Sequence, residues 1–301
     1  MQDQIFSKSD WEPTVSILMN CYNGEEFLAA AIQSILDQTY QDWEIVFWDN
    51  QSTDDSAAIA QSFGDPRIRY FYSPKHTILG EARKMALEKT RGQWVAFLDA
   101  DDLWLPDKLS RQMERIQESA DSVGFVYGRA EIFFENNPAR NFAFKRGRSL
   151  PEGHIFEALC REDFVPFLSG LVNKERLEES GGLSEKYKHS IDYFMFLNLA
   201  YKYPVLAVQE VCCRYRIHGS NLTHTQKPDG IREAIEIVSA YLPAPGARIG
   251  VRYHYGAMVL YLVRSGQWIA AISTMIRQRC ALIVLRKIFY GFYDRFRRLS
   301  G

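Results

Sequence analysis

Between Val15 and about Gln117, short apolar runs alternate with stretches whose apolar residues recur every three or four positions, and this alternation restricts the fold more than any other feature of the chain. "VSILMNC" reads as a first strand. "EEFLAAAIQSILDQ" reads as a helix, with Phe27, Leu28, Ala31, Ile32, Ile35 and Leu36 on one face and glutamates in its first turn. "WEIVFW" is a second strand, and "STDDSAAIAQSF" opens a helix with Ser52 and Asp55 at capping-box spacing. "IRYFY", "ILGEARKMALEKT" and "WVAFL" then give a third strand, a third helix and a fourth strand. Strand–helix alternation of this kind is the signature of an α/β chain with a mostly parallel sheet flanked by helices. Open sheets of this type bind ligands beyond the carboxyl ends of their strands. Asn20 to Asn23, Asp49 and Asp99 to Asp102 all fall there.

Past Arg129 the alternation blurs. "RAEIFFENNPARNFAF" reads as strand and loop, "PFLSGLVNK" as a strand before a helix, "HSIDYFMFLNLAYKY" as a helix and "PVLAVQEVCCRYR" as a strand. From about Pro228 the pattern is helical, interrupted at "LPAPGAR". The organisation expected is one α/β domain over residues 1–225, divided into halves at 14–117 and 118–225, followed by a helical extension over 226–301.

A formal net charge of -1 supplies no global attraction to nucleic acid, whose partners carry clustered basic surface. The five cysteines, Cys21, Cys160, Cys212, Cys213 and Cys280, form no C-x-x-C pair, so neither a disulfide framework nor a structural zinc site is indicated, and a reducing cytoplasm fits them. The N-terminal "MQDQIFSKSDWEPTV" lacks the charged-then-apolar order of a secretory signal, and no stretch reaches the roughly 18 apolar residues of a spanning helix.

The fourth strand poses a problem of its own. In "WVAFLDADDLWLP" a buried strand ends in Asp99, Asp101 and Asp102, and like charges so close resist full ionisation unless something positive sits among them. Two readings answer it. A divalent cation, which takes oxygen ligands and is often held by one or two carboxylates plus substrate phosphates, would bridge these residues to a diphosphate. Alternatively, Asp101 and Asp102 cap the helix beginning near Pro106.

The succession "VSILMNCYNGEEFLAAAIQSILDQTYQDWEIVFWDNQSTDDS", "GEARKMAL" and "GQWVAFLDADDLWLPDKLSRQ" resembles the nucleotide-sugar-binding half of the family 2 glycosyltransferases, which have the GT-A fold. The likeness is dense from Thr14 to Arg115 and thinner to about Thr223. It implies an inverting, metal-dependent transfer of a sugar from a nucleotide sugar, UDP-linked by preference, to a saccharide or lipid-linked saccharide in cell-surface polysaccharide or glycolipid synthesis. It implies roles as well. Asn20, Tyr22, Asn23 and Asp49 cradle base and ribose, Arg83 approaches the donor, and Asp99 and Ala100 contact the sugar nucleotide. Asp101, with Asp99, holds Mn2+ or Mg2+. On chemistry, a carboxylate accepts from a base N–H and a guanidinium suits phosphate; the alternatives are a turn-forming Asp49 beside Asn50 and an Arg83 that is a solvated helix charge.

Sugar transfer to an alcohol needs a base opposite the departing diphosphate. The resemblance places it in "GGLSEKYKHSIDYFMFLNLAYKY", which assigns Asp192; read alone, Asp192 is a favourable helix-dipole residue after Ser190. Ile191 stands where the family usually has a second acid. "CRYRIHGSNLT" resembles the segment that closes over the donor phosphates, making Arg216 a diphosphate contact and His218 a further metal or phosphate ligand, against a purely structural histidine. Asn221 opens a glycosylation pattern that a cytoplasmic chain would not use. Arg277, Arg279, Arg286, Lys287, Arg295, Arg297 and Arg298, interleaved with Ile283, Leu285, Ile288, Phe289, Phe292 and Phe296, describe either a basic helix lying on the inner face of an anionic membrane or an ordinary packed helix with a solvated basic face.

Rival classes are a nucleotidyltransferase, a Rossmann dehydrogenase and a non-catalytic sugar-nucleotide scaffold. The first two would place a Gly-rich loop after strand one, which "CYNGEEF" does not supply. The scaffold would have no use for Asp192. Asn20, Cys21, Asn50, Gln51 and Lys84 depart from the usual family residues at positions that touch donor recognition.

Overall fold

The computed structural model describes residues 11–288 apart from 120–121, 136, 145–146 and 220–226, and it divides into two compact units, residues 1–154 with 165–220 and residues 155–164 with 221–301. Arg295, Arg297, Arg298, Phe289, Phe292, Phe296 and Asn221 lie outside the described residues.

The first unit begins as the strand–helix alternation dictates: β1 (Val15–Cys21), α1 (Glu25–Leu36), β2 (Trp43–Asp49), α2 (Ser56–Ser62), β3 (Ile68–Tyr72), α3 (Leu79–Leu87) and β4 (Trp94–Phe97). β3, β2, β1 and β4 lie side by side and parallel, with Cys21 opposite Asp49 and Leu18 opposite Phe97. Every residue of β2 and β4 is buried, so these strands read as continuous apolar runs, the pattern expected where helices cover both faces of a parallel sheet. Leu28, Ala31, Ile32 and Ile35 of α1 fill the core against Ile17, Met19, Ile45 and Phe47.

The capping box before α2 does not form. Ser52 Oγ accepts from the Asn23 N–H at 3.0 Å, and Asp54 Oδ1, not Asp55, accepts from the Ser56 N–H at 3.0 Å. The loops after β1 and β2 are tied to each other, side chain to backbone, through Asn23–Ser52, Asn23–Thr53 and Glu25–Asp54 bonds.

Beyond β4 the sheet changes character. β5 (Leu103–Trp104), α4 (Lys108–Glu118), β6 (Phe125–Phe134), β7 (Phe142–Ala143), β8 (Leu171–Asn173), α6 (Lys174–Glu179), α7 (Ile191–Lys202) and β9 (Val205–Ile217) extend it in the order β3-β2-β1-β4-β8-β6-β9-β5, with β7 on β6. The strand signal begins at Phe125, four residues before the point where it blurs in sequence, and β5 leaves no sequence signature because two residues have no period. β5 pairs antiparallel with β9, Leu103 opposite Arg214 and Trp104 opposite Cys213. That pairing draws the end of β9 onto the acidic loop.

Glu44, fully buried at the start of β2, accepts from Ser16 Oγ at 2.7 Å, from the Arg91 N–H at 2.9 Å and from the Arg69 and Arg91 guanidiniums at 2.8 Å. Burial opposes its ionisation, but the bonds from Ser16, Arg69 and Arg91 outweigh it and hold the carboxyl below its usual range. This braces the opposite end of the sheet from the predicted ligand edge.

The second unit contains α5 (Phe156–Arg161), α8 (Lys227–Ser239), α9 (Ala247–Arg264), α10 (Trp268–Arg277) and a further helical stretch over residues 281–288. Val259, Ala271, Cys280 and Val284 form its own small core. α5 belongs here through α9: a Cβ on Gly250 would meet the Cys160 carbonyl oxygen at 2.4 Å, so glycine permits the close approach. The excursion of residues 155–164 into this unit is invisible in the sequence pattern. Among the described residues no helix is long and apolar enough to cross a membrane.

Candidate active site

The carboxyl ends of β1, β2 and β4 bring together the predicted residues of the first half. Asn23, in the left-handed region at φ 52°, accepts from the Thr53 N–H at 2.8 Å through Oδ1. Asn20, at the end of β1, has both side-chain polar atoms buried without a hydrogen-bond partner. A buried orphan amide is rare and calls for an explanation such as a missing ligand or water. Tyr22 is exposed, and its ring centroid stands 4.3 Å from that of His76, whose Nδ1–H donates to the Asn50 carbonyl at 2.8 Å. No periodicity or motif marks His76 in sequence.

Asp49 is closed to solvent, with Oδ1 accepting from the Ser52 N–H at 2.7 Å and Oδ2 from the Tyr70 hydroxyl at 2.6 Å. The carboxylate thus anchors the turn after β2. Burial, and then the bond to Asp49, push the Tyr70 hydroxyl above its ordinary range.

At the tip of β4 the three acids receive three different partners. Arg83 Nη2 donates to Asp99 Oδ1 at 2.7 Å, while its guanidinium carbon sits 3.9 Å from the centre of the Phe167 ring; Arg83 is buried and the Asp99 side chain is 37% exposed. His218 Nε2 lies 2.9 Å from Asp101 Oδ2. Asp102, buried, accepts the Arg216 N–H at 2.9 Å. The chain itself brings Arg83, His218 and Arg216 to the cluster, two of them from β9 and the residue just after it, more than 110 positions away. The helix-cap alternative fails, since Asp102 serves Arg216 and α4 begins without a side-chain cap from Asp107.

Repulsion within the cluster nonetheless persists. Burial, and then the Asp99 charge, raise Asp101, with His218 opposing. Burial, with Asp101 and Asp99 adding to it, drives Asp102 well above the usual carboxylate range.

Arg216 is buried. Its Nε donates to the Asp101 carbonyl at 2.8 Å, its Nη1 pairs with Glu135 at 2.7 Å, and its guanidinium carbon lies 4.4 Å from the Phe27 ring centre and 4.7 Å from that of Phe133. In this arrangement Arg216 clamps the Asp101–Asp102 backbone, through its N–H to Asp102 and its Nε to the Asp101 carbonyl. His218 packs beside Phe27 with ring centroids 5.0 Å apart. Ala100 packs against the core, its Cβ next to the space above Gly24.

Asp192 stands in the first turn of α7, with Oδ1 accepting its neighbour Tyr193's N–H at 2.9 Å. Burial raises its carboxyl, Arg83 and the Tyr193 N–H pull it down, Asp99 adds to the rise, and the net shift is upward. Arg83, Asp99 and Asp192 therefore form one electrostatic group drawn from α3, the β4 tip and α7. Gly80 allows it: a Cβ there would meet the Ser184 carbonyl oxygen at 2.4 Å, so only glycine lets α3 close on the loop that leads into α7.

Among the described residues no three His, Cys, Asp or Glu side chains converge as a preassembled metal site. A hard divalent ion does not require one, since one or two carboxylates suffice when a diphosphate completes the shell. Asp101, whose ionisation is resisted by burial and by Asp99, together with His218 fits such an ion in donor type and in charge.

Residues 16–170 match the family model for "Glycosyl transferase family 2". The chain is 27% identical over 243 residues to the UDP-Glc:alpha-D-GlcNAc-diphosphoundecaprenol beta-1,3-glucosyltransferase WfgD of Escherichia coli, covering 80% of this chain and 91% of that protein. Among solved structures it resembles S. aureus TarS 1-349 in complex with UDP-GlcNAc, with a TM-score of 0.65 at 15% identity over 88% of this chain and 81% of that one. It also resembles the mannosyltransferase PcManGT from Pyrobaculum calidifontis in complex with GDP-Man and Mn2+, with a TM-score of 0.64 at 16% identity over 97% and 84% of the two chains. At those identities the likeness shows the fold, a GT-A-type sheet flanked by helices, and nothing finer.

Proposed function

Since this chain belongs to glycosyl transferase family 2, and is a glycosyltransferase on that ground, we propose that it moves a sugar from a nucleoside-diphosphate sugar to a hydroxyl acceptor with inversion, Asp192 acting as the base. The observation that carries the reading is the Arg83–Asp99–Asp192 group. A base must be basic enough to take a hydroxyl proton and yet ionised at working pH, and Asp192 is raised by burial while Arg83 restrains the rise. In the step, Asp192 accepts the acceptor's hydroxyl proton as that oxygen bonds to the anomeric carbon. The bond from that carbon to the diphosphate oxygen breaks on the opposite face, and the electron pair leaves with the diphosphate.

Asp101 and His218, with Asp99, would hold a divalent cation, whose chemistry is to neutralise charge on the leaving diphosphate. Asp102 and Arg216 keep Asp101 in place through the backbone. The orphan amide of Asn20 and the exposed Tyr22 ring beside His76 offer hydrogen bonds and a stacking face to a base, with Asn23 and Asp49 shaping the loops around them. The E. coli relative's name specifies an acceptor on a lipid diphosphate, which supports a lipid-linked saccharide here and a place in cell-surface polysaccharide synthesis.

The test is Asp192→Asn. Donor sugars of UDP, GDP and dTDP are screened with Mn2+ by thermal shift, and release of nucleoside diphosphate is then followed with the donor that binds. The variant should bind donor as wild type does and turn over about 10²–10⁴-fold more slowly, the usual contribution of a positioned base. Turnover at the wild-type rate would remove Asp192 from the mechanism.

A further inference from the structure

The second unit carries a surface that its own core does not explain. On α10, Ala271 and Met275 face inward onto Val259, Cys280 and Val284. The other side of the same helix presents Trp268, Ile269, Ile272 and Ile276 to solvent at helical spacing, Ile269 at 88% and Ile276 at 69% exposure. The helical stretch that follows repeats the arrangement: Ile283 and Val284 pack on the core while Leu282, at 82%, and Leu285, at 61%, stand exposed. Single exposed apolar residues are ordinary, but a run of large ones across two consecutive helical segments marks an interaction site.

The charge around it selects the partner. The sequence has no Asp or Glu from Ile237 to Tyr293, and Arg277 and Arg279 are exposed at the end of α10, as is Arg286 immediately after Leu285. We infer that this face is a docking surface for an anionic lipid bilayer, the apolar side chains entering the interface and the arginines meeting acidic headgroups. Amphipathic helices with an apolar face, few acids and flanking cations bind membranes in this way. A symmetric dimer through the same face would set Arg277 and Arg279 of one copy near those of the other, since a two-fold interface is self-complementary. The inference stands on this surface alone and does not rest on the assignment of Asp192 or of the metal.

Vesicle flotation of the full chain tests it, with vesicles of phosphatidylcholine alone or mixed with phosphatidylglycerol, at low and high salt. The protein should float with the anionic vesicles and be released by salt. Ile269→Glu with Ile276→Glu should reduce binding by about tenfold or more, since each side chain loses its apolar transfer into the interface. Arg277→Gln with Arg279→Gln should reduce it by about twenty-five-fold, because each basic residue near an anionic surface contributes about fivefold. All four positions are exposed, and circular dichroism checks that the variants stay folded. Failure of wild type to float with anionic vesicles, or flotation of both variants like wild type, overturns the proposal. So does a dimer in sedimentation that Ile269→Glu disrupts while vesicles are ignored, which would assign the face to a second copy. Loss of sugar transfer with flotation intact would count against the catalytic reading only.

Discussion

Replacing Arg83 by Gln probes the coupling on which the catalytic reading depends. Arg83 is buried between Phe167 and Asp99. Removing one partner of a fully buried ion pair costs about 3–5 kcal/mol, but Asp99 is 37% exposed and rehydrates, which places the loss nearer about 1–2 kcal/mol. The lost guanidinium stacking on Phe167 adds about 1 kcal/mol. The total, about 2–3 kcal/mol, corresponds to roughly 5–10 °C in melting temperature for a unit of this size. Asp192 responds in a fixed direction. Arg83 is the main interaction opposing the upward push of burial, and Asp99 would then act on Asp192 without its neutralising partner, so the Asp192 carboxyl must rise further. A base works only when ionised, so the acidic limb of the pH–rate profile should move to higher pH. Arg83→Lys keeps a positive charge and should move the limb less. The assay is nucleoside-diphosphate release across pH, paired with thermal unfolding. A limb that stays in place, or moves to lower pH, while stability falls as expected would refute the electrostatic group and with it the reasoning for Asp192.

Two further predictions follow from the same environment. His218→Ala should weaken Mn2+ binding in the presence of nucleoside diphosphate by about tenfold or more, the usual effect of losing a ligand or its orienting neighbour; calorimetry showing unchanged affinity would reduce His218 to a partner of Asp101 alone. Lys108 is fully buried, bonded through Nζ to Gln112 Oε1 at 2.7 Å and lying over the Trp104 ring, and burial lowers its ammonium to about 8. Above that pH the folded state has shed a proton that the unfolded chain still holds, so wild-type stability should gain a component between about pH 8 and pH 10.5. Lys108→Met should abolish that component and, by removing a buried charge, stabilise the protein by about 1–3 kcal/mol at pH 7, measured by denaturant titration.

Much of the first unit was legible because its signals are local. β1 to β4 and α1 to α3 sit where the apolar periods put them, and the residues expected at the ligand edge, Asn20, Asp49 and Asp99 among them, stand at the ends of β1, β2 and β4. Position did not reveal partner. Nothing in "GEARK" says that Arg83 bonds Asp99 while stacking on Phe167, because Phe167 arrives from a segment with no period of its own. Likewise the basic C-terminal run could be read as membrane-binding or packed. Its burial now divides the residues, with Ile283 turned inward and Leu285 outward.

What the sequence by itself determined was the parallel α/β half and the crowding of acids at a strand tip, since hydrophobic period and charge spacing are properties of neighbouring residues. What neutralises those acids was decided only in three dimensions. β5 is two residues long, yet its pairing with β9 carries Arg216 and His218 onto Asp101 and Asp102, and the close approach at Gly80 brings Arg83 within reach of Asp192's field. Charge pairing depends on distance in space, and contacts between residues more than a hundred positions apart leave no mark on the local pattern of either.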